Sequence, residues 1–65
     1  MTPKQHARIR LLALTPTRYT QLIAAIEVYA SRVHWPPKRI AEWVISDLER
    51  GLSTNYVLGW LKNTT

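Results

Sequence analysis

The chain has 65 residues, 46% of them hydrophobic, with nine Lys and Arg against four Asp and Glu, no cysteine, and a formal net charge of +5. That makes one small domain, too apolar to be disordered, and the lack of cysteine excludes a disulfide framework, an Fe–S cluster or a cysteine-ligated zinc. A core this small is marginal for an unstapled monomer, so the composition points to helix-on-helix packing or to oligomerisation.

Residues 1–14 form a basic N-terminal segment whose pattern admits two structures. As a strand, Arg8, Arg10, Leu12 and Leu14 face one way and Ala7, Ile9, Leu11 and Ala13 the other. As a helix, Thr2-Pro3 with Gln5 makes a capping box, but apolar residues then surround the axis, and Lys4 and Arg8 repel one turn apart. Periodicity leaves both open. Thr15-Pro16 then opens a helix over about 16–34, with Tyr19, Leu22, Ile23, Ile26, Tyr29, Ala30 and Val33 on one stripe and Val28 as its one apolar misfit. Trp35-Pro36-Pro37 ends it, because the residue before a proline is pushed out of the α region. A second helix over about 37–50 has the stripe Ile40, Ala41, Val44, Ile45, Leu48 and Leu52, with Gly51 as its C′ residue. A third, over about 53–63, starts at Ser53 and has Tyr56, Val57, Trp60 and Leu61 on one face. The predicted fold is mainly α and a single domain over 1–65. Three helices form a body over 15–63, behind a basic segment that is either a short strand or a fourth helix.

The charge is concentrated. Residues 1–18 hold Lys4, Arg8, Arg10 and Arg18 with no acid, a charge of +4, whereas residues 19–52 are neutral. A cationic segment on a neutral body fits either a polyanion partner, to which Lys38 and Arg39 at a helix start would add, or a solubilising terminus. The longest apolar stretch, 22–30, carries Glu27 and is far short of the roughly 20 residues of a membrane span. Leu11 to Leu14 is too short for the apolar region of a signal peptide, so the expected location is cytoplasmic.

Little here suits catalysis. His6 and His34 have no cysteine or acid at metal-ligand spacing, and Ser31 with His34 has no third residue to orient a base. Glu42, Asp47 and Glu49 lie at helical spacing from Arg39 and Arg50 and read as solvated pairs. With two glycines there is no phosphate-cradling loop. No enzyme, metal or cofactor is expected. Among the aromatics, Tyr19, Tyr29, Tyr56 and Trp60 fall on apolar stripes and are expected in the core. Trp35 and Trp43 fall off them, and either cover a hydrophobic edge or anchor a partner.

The order basic segment, Leu14-Thr15-Pro16, a helix with Tyr19 and Leu22, a loop, and the run Ile40-Ala41, Val44-Ile45, Leu48 and Gly51 resembles the ribbon-helix-helix DNA-binding family over residues 7–52. The resemblance implies that two chains intertwine, that their strands pair as a ribbon in the DNA major groove, and that Pro37, Lys38 and Arg39 meet phosphate. Counting back from Leu14, the family register turns Ala13, Leu11 and Ile9 to the bases, and a shift by one residue turns Arg8 and Arg10 there instead. A helix-turn-helix unit around Gly51 matches less well. Asp47 stands where such units place a small residue, and the segment 55–62 reads as apolar with one lysine.

The expectation is a small basic DNA-binding protein, a homodimeric repressor or a plasmid- or phage-type accessory factor. Its contacts are Lys4, Arg8, Arg10, Arg18, Lys38 and Arg39. The alternative is a helical protein-interaction module, an adaptor or inhibitor, that binds a larger protein through Trp35, Trp43, Tyr56 and Trp60.

Overall fold

The structure is a computed structural model that describes residues 1–63. It contains four helices: α1 (Pro3–Ala13), α2 (Pro16–Val33), α3 (Pro37–Glu49) and α4 (Thr54–Lys62). Proline is the first residue of α1, α2 and α3, where its missing N–H leaves no helical acceptor unfilled. Side chains cap three starts. Thr2 Oγ1 accepts from the Gln5 N–H at 3.2 Å while the Thr2 N–H donates to Gln5 Oε1 at 3.1 Å, a reciprocal capping box. Thr15 Oγ1 accepts from the Arg18 N–H at 3.2 Å, and Ser53 Oγ from the Tyr56 N–H at 3.0 Å. Helix α3 has Pro36 at this position and no side-chain cap.

The segment that the sequence leaves open between strand and helix is α1. Ile9 and Ala13 are fully buried, yet Leu11 between them is 71% exposed, a four-residue rather than a two-residue period. Because apolar residues surround the axis, packing one side of α1 leaves Leu11 in solvent.

Helices α2 and α3 lie in the middle, with α1 and α4 each packed on both. The core takes Ile9 and Ala13 from α1, Leu22, Ile26 and Ala30 from α2, Ile40, Ala41, Val44 and Leu48 from α3, and Val57, Leu58 and Leu61 from α4. The stripes of α2 and α3 are those of the sequence pattern, with Val28 outside as expected. Helix α4 is rotated from its expected face. Leu58 is buried, Trp60 is half-buried, and Tyr56, expected in the core, is 57% exposed. The set Thr54, Val57, Leu58 and Leu61 makes the tighter i, i+3, i+4, i+7 stripe and keeps a phenol in water.

The helix ends differ in conformational cost. Gly51 closes α3 with φ +91, and the Gly51 and Leu52 N–H groups donate to Leu48 and Asp47 carbonyls at 3.1 Å each, a Schellman motif. Leu14, joining α1 to α2, has φ +72 and is 84% exposed. A leucine in that region is strained by roughly 1–3 kcal/mol, and its side chain recovers little by burial. Leu14→Gly is therefore expected to stabilise the fold by about 1 kcal/mol, net of the added freedom of the unfolded chain. A fall in the denaturation midpoint would contradict the account.

Candidate nucleic-acid interface

Four of the six candidate basic residues lie in the first 18 positions, but the fold does not gather them. Arg8 and Arg10 are two residues apart on a helix and so leave α1 on opposite flanks. Arg8 turns to α3, where its guanidinium pairs with Glu49, the Nε–H donating to Oε2 at 3.0 Å. Arg10 turns to α2 and lies over the Tyr19 ring at 4.9 Å, while the Tyr19 hydroxyl shares a 2.8 Å hydrogen bond with His6 Nδ1. Arg18 leaves α2 and donates from Nη1 to Thr54 Oγ1 on α4 at 2.8 Å. Each of these three guanidiniums stitches one helix to another.

The remaining three cations stand on two neighbouring helix starts. Gln5 Nε2 donates to the Lys38 carbonyl at 2.9 Å, which sets the first turns of α1 and α3 side by side. Lys4 stands in one of these turns, and Lys38 and Arg39 in the other. Neither turn contains an acidic residue. The helix dipole gives each helix start a partial positive charge, which two lysines and an arginine reinforce here. Among the described residues, Lys4 and Lys38 form no ion pair.

The same end of the molecule carries two tryptophans. The Arg39 guanidinium lies 5.4 Å from the Trp35 ring centre, and Trp35 meets Trp43 edge-on at 5.0 Å. Trp43 is one turn beyond Arg39 on α3, and the two indoles are 41% and 43% exposed. The stack covers the α2–α3 corner and leaves an aromatic face in water.

Tyr56 and Trp60 lie elsewhere, on α4. Trp60 is engaged inside the fold: it meets Tyr29 edge-on at 5.4 Å and its Nε1–H donates to Asp47 Oδ2 at 3.1 Å. Gln5, which brings the two turns together, was legible in the sequence only as a capping residue. The outward residues Asn55, Gly59, Lys62 and Asn63 of the α4 region were masked by the apolar reading of that segment, although their 4-, 7- and 8-residue spacing from Asn55 is helical.

Among the described residues, no three His, Asp or Glu side chains converge as a metal site, and no helix is long and apolar enough to cross a membrane. Comparison with known families, curated proteins and solved structures finds no match.

Proposed function

We propose that the protein is a small DNA-binding regulator that grips the phosphate backbone with the paired first turns of α1 and α3. Lys4, Lys38 and Arg39 are the contacting cations. The observation that carries this reading is the juxtaposition of two helix starts that have no acid and three cations between them. Arg8, Arg10 and Arg18 contribute to the field of the molecule while their guanidiniums hold the helices. Three phosphate contacts per chain are a weak hold, so the protein acts on DNA as a homodimer.

The test is fluorescence anisotropy with a random duplex. Three released counterions imply that affinity falls about fortyfold between roughly 50 mM and 200 mM salt, and about twice that exponent if two copies bind. Affinity that does not respond to salt would overturn the proposal.

The exposed Trp35–Trp43 pair favours a second reading, in which this surface anchors a larger protein. Trp43→Ala removes one edge-on aromatic contact worth about 1 kcal/mol and leaves the fold intact. On the DNA reading, duplex affinity then changes less than threefold. Wild-type protein that ignores duplex at both salt concentrations would leave the aromatic surface to a protein partner.

A further inference from the structure

The two features that set α3 and α4 apart from a helix-turn-helix unit in the sequence have structural answers. Asp47 stands where a small residue is usual, but it is accommodated. Its carboxylate accepts the Trp60 Nε1–H at 3.1 Å across the α3–α4 contact and lies 3.8 Å from Arg50. The apolar character of α4 belongs to its inner side, where Val57, Leu58 and Leu61 are buried. What faces solvent is Asn55, Tyr56, Gly59, Lys62 and Asn63, which occupy about a third of the helix circumference.

This face has the chemistry of a reader of base edges. Asparagine presents a donor and an acceptor together, the pattern that pairs with adenine in the major groove. Tyr56 adds a hydroxyl and Lys62 a cation. Gly59 lies at the centre of the face, where a Cβ would meet no atom within 4 Å, so the backbone is open to close approach. From Arg50 to the end of the chain there is no acidic residue to repel phosphate. The connection from Glu49 to Thr54 is short and fixed by the Gly51 Schellman motif, so the two helices move as a unit. The first turn of α3 lies about 20 Å along its axis from that connection. In a helix-turn-helix unit the first helix crosses the phosphate backbone while the second lies in the major groove, which is the role this reading gives to the cations at the start of α3.

We infer that α3 and α4 form a helix-turn-helix reader in which the Asn55, Tyr56, Gly59, Lys62 and Asn63 face enters the major groove of duplex DNA. This rests on the proposed DNA-binding function and adds sequence selectivity to it.

The experiment is selection from a randomised duplex pool with the wild-type protein, Asn55→Ala and Tyr56→Ala. Both side chains are exposed, and circular dichroism checks that each variant folds. The wild type is expected to enrich a motif. Asn55→Ala is expected to lose discrimination at one base pair by roughly ten- to a hundredfold, while its affinity for unselected duplex stays within about twofold. A motif that both variants preserve would overturn the role of α4 and leave DNA binding standing, as would retention of the pool without enrichment. A wild-type protein that retains no duplex removes the DNA-binding reading itself, and this inference with it.

Discussion

Ile9→Ala is expected to lower the melting temperature by more than ten degrees, and Leu11→Ala to leave it almost unchanged. Ile9 is fully buried and Leu11 is 71% exposed. Truncating a buried isoleucine removes its transfer energy and leaves a cavity, a loss of about 2–5 kcal/mol. A domain of this size has roughly 3–10 kcal/mol in total, so the variant sits near its unfolding midpoint at 37 °C. Leu11→Ala, at a solvated position, changes stability by less than about 0.5 kcal/mol. The pair also reads the conformation of the N-terminal segment, since a strand would place Ile9 and Leu11 on one face and make their truncations alike. Similar thermal shifts for the two variants would show that α1 does not pack as described.

Lys38→Ala combined with Arg39→Ala is expected to remove most of the salt dependence of duplex binding. With only Lys4 left, the loss of affinity between about 50 mM and 200 mM salt shrinks, for each bound chain, from about fortyfold to about fourfold. Affinity at the lower salt falls at least tenfold, equally for every duplex sequence, because phosphate contacts carry no sequence information. Arg39→Ala also uncovers the Trp35 ring, so thermal denaturation should be run beside the titration. Arg8→Ala is the control: it removes a cation of the same charge from the neighbouring turn of α1, but one engaged with Glu49. If Arg8→Ala weakens binding as much as the double variant does, the contact surface runs along the α1–α3 flank rather than across the two helix starts.

Much of the architecture was legible in the residues. Thr-Pro at two helix starts, the Trp35-Pro36-Pro37 stop, Gly51 as a C′ residue and Ser53 as a cap are local signals whose physics lies within one turn of chain. The stripes of α2 and α3 were legible because apolar residues recur there at one period. The same logic left α1 open, because Leu11 and Leu14 remain apolar whichever face is buried, and only the partner helices select Ile9 and Ala13. It misplaced Tyr56, because Tyr56 and Leu58 are both apolar enough to stripe and the choice belongs to α2 and α3. The candidate basic residues were legible as composition, but their geometry was not. Nothing local in the run from Lys4 to Arg18 says that Arg8 will meet Glu49, 41 residues away, or that Arg18 will meet Thr54. Nor does it say that Lys4 will share an end of the molecule with Lys38. Charge counts set an expectation of a polyanion, and tertiary packing decides which charges remain available to meet one.

The arrangement of the tryptophans gives the molecule two optical signals. Trp35 and Trp43 are close enough for their indole transitions to couple, and they stand partly in water with Arg39 over the Trp35 ring. A ligand that displaces that water should shift their emission to the blue and alter their near-ultraviolet dichroism. Trp60, half-buried and hydrogen-bonded to Asp47, should instead follow the docking of α4 on α3. With Trp60→Phe the intrinsic fluorescence reports on the surface, and with Trp35 and Trp43 both replaced by Phe it reports on the fold. Occupancy and unfolding can then be followed separately without an attached dye.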